Sequence, residues 1–180
     1  MSIVSPRSAR PLLDMGAVFD EHFDYLWNAL RRFGVREADL EDLVHDVFLK
    51  IHQRSADYDS SRPVRPWLFG FAHRVAADYR RLARHRVEVP HAHGDIADAG
   101  RPVDERIEAH EEGMLVKEAL ESVDLDRRAV FILHDLDEVP VPEIAEALGI
   151  PLNTAYSRLR LARGEFAAAA KRLRRARGAQ

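Results

Sequence analysis

Apolar residues recur at helical spacing along most of the chain. In the segment 39–53 the apolar side chains lie three or four residues apart, which places them on one face of a helix. Asp39 directly precedes this stripe and is predicted to be the N-cap. Two similar helices are predicted over 16–33 and 66–84, the first ended by a glycine and the second begun by a proline. No alternating strand pattern is evident, so the chain is predicted to be all-α.

The stretch 88–105 interrupts this periodicity. It is rich in Pro, Gly, Ala, Asp and His and has few regularly spaced apolar residues, which is typical of a linker or mobile loop. Helical spacing then returns over 105–123 and 125–136, followed by two more helices. We therefore predict two small helical domains, 14–87 and 106–177, joined by a flexible acidic linker.

The segment 139–166 has the order expected of a helix-turn-helix. Residues 143–148 form a short predicted helix, Gly149 supplies a tight turn that often needs a positive φ, and Pro151 begins the next helix. A domain of this kind, winged-helix-like in fold, places its second helix in the major groove of DNA. An ordinary helical hairpin is the alternative, but the arginines concentrated on the second helix favour DNA binding.

At 100° per residue the second helix of this motif has two distinct faces. The residues predicted to pack inward are Ala155, Leu159, Ala162 and Phe166. The residues predicted to face outward and to read base edges are Asn153, Tyr156, Ser157 and Arg160. The flanking residues, which suit phosphate contacts that give affinity but little sequence information, are Thr154, Arg158 and Arg163.

Charge is unevenly distributed along the chain. The net charge of −3 does not suit a DNA-binding protein, but the segment 62–86 holds seven Arg and two His against one acid. A second basic block, 156–177, holds eight Arg or Lys against one acid, and the acidic stretch 95–126 between the blocks holds eleven acids and three bases. Because local basic patches set the attraction to phosphate, the two blocks indicate two DNA-contacting surfaces. Solvated helix faces are the simpler alternative.

The composition narrows the function further. The chain has no Cys, which excludes disulfides and thiolate metal sites and fits a reducing cytoplasm. It has no apolar run of about 18 residues and no signal-peptide h-region, so no membrane insertion is expected. The isolated pair His91 and His93 is a weak set of metal ligands, and the chain has no phosphate loop or nucleophile elbow. We therefore expect no cofactor, no metal and no catalytic activity.

Two helices of the first predicted domain differ in their polar side chains. The helix over 39–53 displays acids outside its apolar stripe, which favours docking to a protein over docking to DNA. The helix over 66–84 mixes arginines with aromatic residues, a combination suited to single-stranded nucleic acid. The preceding loop, 58–65, is the better candidate for presenting functional groups. The residues at helical spacing that we assign to the core are Trp67, Leu68 and Phe71.

Three segments of the chain carry motifs that occur together, in this order, in one family. The first is Asp39-Leu-Glu-Asp-Leu-Val-His-Asp-Val-Phe-Leu. The second is Arg65-Pro-Trp-Leu-Phe followed by Ala76-Ala-Asp-Tyr-Arg-Arg. The third is Ile144-Ala-Glu-Ala-Leu-Gly-Ile, with Thr154 and Ser157-Arg158-Leu159 further on. They resemble the core-polymerase-binding helix, the −10 segment and the −35 helix-turn-helix of the extracytoplasmic-function (ECF) sigma factors in the sigma-70 family.

The resemblance implies a transcription initiation factor that binds core RNA polymerase and recognises promoter DNA. The residues it places on the clamp helices of the polymerase are Asp39, Glu41, Asp42, Asp46, Lys50 and Gln53. The residues it places at the single-stranded −10 element are Tyr58, Arg62, Arg65, His73, Arg74, Arg80, Arg81 and Arg84. The duplex −35 element is assigned to the helix-turn-helix residues named above, Asn153 to Arg163. Catalysis would belong to the polymerase.

The resemblance also implies a cytoplasmic protein, a role in a stress or envelope response, and an anti-sigma factor as a further partner. Two positions depart from the family's pattern: Arg74 stands where Asn is frequent, and Tyr156 stands where Lys or Arg precedes Ser-Arg. The promoter sequence therefore cannot be carried over from the family. Two other classes stay open, a stand-alone helix-turn-helix repressor or activator that binds duplex DNA as a dimer, and an interaction adaptor or anti-sigma-type antagonist.

Overall fold

The computed structural model describes the backbone of residues 14–85 and 103–178 and the side chains of 14–83 and 112–178. Throughout these residues the regular elements are helical, which confirms the predicted all-α fold. None of the helices described is both long enough and apolar enough to cross a membrane. The helices are α1 (Met15–Arg32), α2 (Glu37–Gln53), α3 (Val64–His85), α4 (Val103–Glu121), α5 (Leu125–Phe131), α6 (Val141–Leu148) and α7 (Leu152–Arg177).

The first three helices pack on one another around the apolar stripe predicted for α2. Each stripe residue that is fully buried contributes about 1.5–3 kcal/mol to the free energy of folding. Phe33 and Phe69 join this core from the end of α1 and the middle of α3, with ring centroids 5.1 Å apart. The buried residues of α2 are Leu40, Val44, Val47, Phe48 and Ile51.

The predicted N-cap of α2 is wrong. The N-cap position is occupied by Arg36, three residues before Asp39, and the helix begins at Glu37. Arg36 makes no side-chain cap bond. Asp39 therefore lies in the first turn. Its carboxylate accepts hydrogen bonds from Arg36 Nε at 2.7 Å and from the Tyr79 hydroxyl at 2.6 Å. A carboxylate in the first turn also stabilises the positive end of the helix dipole, so Asp39 favours this helix start without capping it.

The second group of helices is held together by α7, which packs along α4, α5 and α6. The side chain of Asp124 caps α5 by accepting from the backbone amides of Asp126 and Arg127 at 3.1 and 3.4 Å. After α5 the helical path continues as a π-helical turn, Ile132–Leu136, which completes the helix predicted over 125–136. The turn ends where the Leu133 carbonyl accepts a hydrogen bond from the backbone amide of Val139 at 2.8 Å.

The two groups of helices are packed against each other. Helix α6 lies on α3 and α4 contacts α1, so that one continuous apolar core runs through both groups. Residues 88–102 of the predicted linker, 88–105, lie outside the described residues. Residues 103–105 are the first three residues of α4. The sequence predicted two helical domains, and the structure adds that they contact each other directly.

Candidate nucleic-acid interface

The outer face of α2 is polar and exposed to solvent. Leu49 is part of it and is 60% exposed. Asp39 differs from the rest of the predicted docking set because it is half-buried and bonded to Arg36 and Tyr79. The other predicted docking residues, all exposed, are Glu41, Asp42, Asp46, Lys50 and Gln53.

A row of three rings and one guanidinium leads from the loop before α3 onto that helix. The Tyr58 ring lies 5.0 Å from that of Trp67, which in turn meets Phe71 edge-on at 4.9 Å between centroids. Arg74 extends the row because its guanidinium lies over the Phe71 ring at 4.7 Å. The Tyr58 hydroxyl donates to the Arg62 carbonyl at 2.6 Å, which fixes the loop against the ring. We call these four side chains the aromatic row.

The aromatic row refines the prediction that three residues of α3 belong to the core. Leu68 and Phe71 are buried, which confirms that assignment, but Trp67 is only half-buried and shows part of its ring to solvent. Partial burial raises the pKa of Tyr58 above its usual value, so this ring stays neutral at physiological pH. Neutral, partly exposed rings beside arginines are the groups on which unpaired bases stack.

The remaining residues predicted for the −10 element have different surroundings. Arg65 is exposed, and its guanidinium lies over the Tyr25 ring at 5.5 Å. Arg80 is half-buried, and Arg81 is exposed and pairs with Asp78 at 3.2 Å. The side chain of Arg84 lies outside the described residues.

Two of the predicted −10 residues are engaged by the second group of helices. Arg62 forms an ion pair with Glu146 of α6. His73 Nε2 lies 3.2 Å from Asp126 Oδ1 at the start of α5. Burial lowers the pKa of His73, and the Asp126 carboxylate opposes that shift only in part. In this arrangement His73 faces protein, whereas Arg62 stays exposed to solvent.

The helix-turn-helix prediction is matched in detail by α6, its turn and α7. Gly149 has φ of +67°, the left-handed conformation that the tight turn requires. The Ile150 amide donates to the Ala145 carbonyl at 2.9 Å, which closes the end of α6. On α7 the predicted inward residues Ala155, Leu159 and Ala162 are buried, and Phe166 is half-buried. The predicted outward residues, all exposed, are Asn153, Tyr156, Ser157 and Arg160.

The arginines that flank this outward face are held by acids of the preceding helices. Arg158 Nη2 donates to Asp126 Oδ2 at 2.7 Å, so Asp126 contacts both Arg158 and His73. Arg163 binds Asp135 through Nε at 2.9 Å and Nη2 at 2.5 Å, and these bonds lower the pKa of the Asp135 carboxyl. Such paired arginines keep one orientation, which suits contacts to phosphate better than contacts to base edges.

The sequence analysis missed the residues that join the two groups of helices. Gly70 is one of them, and it lies in the middle of α3 between Phe69 and Phe71. A glycine in a helix interior lowers helix stability and often marks a close approach of another backbone, so this signal was available. Asp126, Glu146 and the buried Arg128 gave no comparable signal, because single charged residues on helices are common.

Comparison with known proteins supplies the family. The family model described as Sigma-70 region 2 matches residues 18–86, and the model described as Sigma-70, region 4 matches residues 113–165. The ECF RNA polymerase sigma factor SigL of Mycobacterium tuberculosis is 32% identical over 90% of this chain and 92% of its own length. The chain belongs to the ECF sigma factors of the sigma-70 family. The prediction made from its motifs is confirmed.

Further relatives agree with this assignment. The RNA polymerase sigma factor NccH of Alcaligenes xylosoxydans xylosoxydans is 30% identical to this sigma factor over 85% of the chain and 84% of its own length. The structure of CnrH in complex with the cytosolic domain of CnrY is 26% identical, with a TM-score of 0.57 over 86% of this chain and 85% of that one. The sigma factor RpoE of Bartonella quintana, solved with the anti-sigma factor NepR, has a TM-score of 0.68 over 88% of this chain and 97% of that one. At 19% identity that last likeness concerns the fold alone.

The sigma factor therefore directs promoter-specific transcription initiation. The region 2 match, 18–86, spans α1 from its second turn, α2 and α3. The region 4 match, 113–165, spans the second half of α4, then α5, α6 and the first half of α7. Within the part of the chain that the structure describes, no group of three or more His, Asp or Glu residues is placed to hold a metal ion.

Proposed function

We propose that three surfaces of this sigma factor have separate tasks in initiation. The outer face of α2 docks on the clamp helices of core polymerase, the aromatic row holds the non-template strand of the −10 element, and the exposed face of α7 reads the −35 duplex. The observation that carries this proposal is the placement of a stacking surface and a groove-reading helix on different domains of one chain. An opening promoter offers single-stranded and duplex DNA at separate places, and each surface suits one of them.

The acids of α2 support its role in docking. Glu41, Asp42 and Asp46 are exposed and lie outside the core stripe, so they contribute little to the stability of the domain. Their charge can instead steer an encounter with a basic partner surface and fix its orientation. Leu49 adds an exposed apolar group to the same face, which fits a protein interface better than a permanently hydrated surface.

The aromatic row suits the strand that is released when the promoter opens. Taking a base out of the duplex costs a few kcal/mol, and stacking on a ring returns about 1–3 kcal/mol per base. Arg74 at the end of the row replaces the family's frequent Asn, and a guanidinium can stack on a base as well as contact phosphate. The exposed or half-exposed Arg65, Arg80 and Arg81 would hold the backbone of the same strand.

The exposed face of α7 supports recognition of the −35 duplex. Asn153, Tyr156, Ser157 and Arg160 carry the donors and acceptors that base edges in a major groove can pair with. Thr154 and the acid-paired Arg158 and Arg163 would contact the phosphates on either side. Tyr156 is 52% exposed and replaces the family's usual Lys or Arg, so this chain should prefer a −35 sequence of its own.

The partners follow from the same proposal. Core polymerase carries the catalytic centre, so the sigma factor acts in the cytoplasm as a non-catalytic subunit. The structures of CnrH and RpoE were each solved with a protein partner, the cytosolic domain of CnrY and the anti-sigma factor NepR. We propose that an anti-sigma factor likewise restrains this chain until a stress or envelope signal releases it.

The test is run-off transcription with bacterial core polymerase, the purified protein and a pool of genomic fragments. We expect transcripts with shared start sites only when the protein is present, and their upstream sequences would define the −10 and −35 elements. The control is the double variant Asp42→Lys/Asp46→Lys, which should fold normally and give no transcripts. A sharp duplex footprint by the protein alone, without transcripts, would instead support the stand-alone repressor.

A further inference from the structure

Two large apolar side chains lie exposed at the start of α7. Leu152 is the first residue of the helix and is 42% exposed, and Tyr156, one turn further on, is 52% exposed. Residues four apart on a helix are neighbours on its surface, which places the two side chains in one apolar patch. A single exposed leucine is common, but two adjacent exposed apolar groups on the second helix of a helix-turn-helix require an explanation. We call Leu152 and Tyr156 the apolar pair.

The apolar pair contributes nothing to the core. On α7 the core is supplied by the buried Ala155 and Leu159, and Ile150 in the preceding turn packs against the same core. Neither member of the apolar pair belongs to the apolar core of the described residues. Leu152 does not cap the helix either, because the N-cap position is occupied by Pro151. Polar residues at both positions would therefore change the stability of the fold little, so the apolar groups serve a contact outside it.

The position of the apolar pair on α7 directs it towards base edges. In a helix-turn-helix the N-terminal residues of the second helix are the ones that contact bases in the major groove. At 100° per residue, Tyr156 lies about 40° around the helix axis from Leu152, and Arg160 lies about 40° further. The three side chains therefore follow one another along one ridge of α7. This ridge is apolar at the start of the helix and cationic two turns later.

The side chains around the apolar pair suit DNA better than a protein surface. Asn153 and Arg160 are exposed on the same face and carry groups that pair with base edges. Arg158 and Arg163 are held in one orientation by Asp126 and Asp135, which suits contacts to phosphate. A helix held in the groove by such contacts brings its apolar groups against the base pairs. The base edges there carry one apolar group, the 5-methyl group of thymine.

We propose that the apolar pair recognises a thymine of the −35 element through its 5-methyl group. This inference rests on the function proposed above and deepens it, because it names a base that α7 prefers and adds Leu152 to the residues that select the sequence. The leucine side chain and the Tyr156 ring remove the methyl group from water. A cytosine at the same place offers an amino group that an apolar contact leaves without a partner, so T·A is preferred over C·G.

The test uses the promoter found by run-off transcription, with each thymine of its −35 element replaced in turn by uracil. Uracil pairs as thymine does and lacks only the 5-methyl group, so the replacement removes the group that the apolar pair contacts. Holoenzyme assembled from core polymerase and the full chain is offered a thymine template and a uracil template that give transcripts of different length. The ratio of the two transcripts measures the preference for the methyl group.

We expect uracil at one or two −35 positions to lower the transcript yield about fourfold, which corresponds to the burial of one methyl group. Leu152→Ala should reduce this preference to about twofold or less, and so should Tyr156→Ala, whereas Tyr156→Phe keeps the ring and should keep the preference. The matched control is Leu161→Ala. Leu161 is also 42% exposed on α7 but lies nine residues further along and off the ridge, so its loss should leave the preference unchanged.

The possible results separate this inference from the proposed function. Equal yields from thymine and uracil templates at every −35 position would overturn the inference, and −35-dependent transcription in the same assay would leave the proposed function standing. A thymine preference that survives in both Leu152→Ala and Tyr156→Ala would also overturn it, because another group would then contact the methyl. A −35 element without any A·T pair would do the same. Absence of transcripts from every template would contradict the proposed function and the inference with it.

Discussion

The outer faces of α2 and α3 belong to the same domain, yet their surroundings differ. On α2 the predicted docking residues other than Asp39 are exposed. On α3 His73 is half-buried against Asp126 of the second domain. Arg62 in the loop before it pairs with Glu146 but stays exposed, as do Arg65 and part of the aromatic row. One polar face is therefore fully open to solvent, whereas the other is partly engaged by the second domain.

The difference also shows how charge is used in the two places. Asp39 bonds to Arg36 and Tyr79, but Glu41, Asp42 and Asp46 on the same helix are exposed, so their charge is accessible to a partner. Near α3 the Arg62 guanidinium pairs with Glu146 and the His73 imidazole lies against Asp126, so polar groups are matched where the two domains meet. Four measurements test this difference.

The largest effect on stability should come from Arg128→Ala, because Arg128 is fully buried where the two domains meet. Its removal leaves three carbonyl groups without their donor and opens a cavity, so we expect the free energy of unfolding to fall by about 3–5 kcal/mol. Urea unfolding followed by circular dichroism measures this loss. Arg127→Ala is the neighbouring control, because Arg127 pairs with Glu165 at a half-exposed site and should cost about 1 kcal/mol or less. Equal losses in the two variants would mean that Arg128 does not hold the domains together.

A smaller effect, of a different kind, should follow from Asp42→Lys/Asp46→Lys on the exposed side. We expect binding to core polymerase to weaken by about 2–5 kcal/mol, because charges that meet a desolvated partner surface are reversed. The free energy of unfolding should change by no more than about 0.5 kcal/mol, since both residues are exposed. Fluorescence titration with core polymerase and urea unfolding give the two numbers. Binding as tight as that of the wild type would remove α2 as the docking surface.

Arg160→Ala tests the exposed face of α7. If Arg160 makes a bidentate contact to a base, its loss should reduce discrimination among −35 sequences by about 1–3 kcal/mol. The measurement is the ranking of run-off transcripts from promoters that differ only in the −35 element. Arg175→Ala, on the same helix beyond the region 4 match, should lower affinity without changing the ranking. An unchanged ranking in Arg160→Ala would contradict the assignment of this residue to base recognition.

The smallest effect concerns pH and His73. Burial lowers its pKa below 6.5, with Arg158 and Arg74 acting in the same direction and Asp126 acting against them. The stability that neutral His73 contributes is thus present above pH 6.5 and is lost as the pH falls through that value. Between pH 7.5 and 5.5 the wild type should lose up to about 1 kcal/mol more than His73→Gln, by the same urea assay. If the wild type and His73→Gln lost the same free energy of unfolding over this pH range, protonation of His73 would not affect the stability of the fold.

The helices and the exposed and buried faces of α7 could be predicted because their signals are local. The stripe of α2 and the inward set of α7 follow from a repeat of 3.6 residues, and the φ of Gly149 follows from the need for a tight turn. The start of α2 was misplaced because Asp39 is a good N-cap by residue type. Its carboxylate instead bonds to Tyr79, which lies 40 residues further along the chain.

The contacts between the two domains could not be predicted, because they depend on pairs of residues far apart in the sequence. Arg62 and Glu146, or Arg32 and Asp137, are ordinary surface residue types, and nothing in their neighbourhoods indicates a partner across the linker. Burial of Arg128 runs against the usual exposure of arginine and is possible only because three carbonyls from two domains converge on it. Gly70 was the one residue among these whose position in a helix indicated a close backbone approach. The sequence did not show that the approaching backbone belongs to α6.

Helix α7 has a mechanical consequence of its own. It runs unbroken for 26 residues, which makes a rod of roughly 38 Å. Its far end is fastened to α4 by Arg177, which binds Glu118 at 3.1 Å. A tilt of the N-terminal end of α7 is therefore transmitted along the helix to α4. One residue inserted between the two ends would rotate them by about 100° relative to each other. The length of α7 therefore fixes the orientation of its exposed N-terminal face relative to α4.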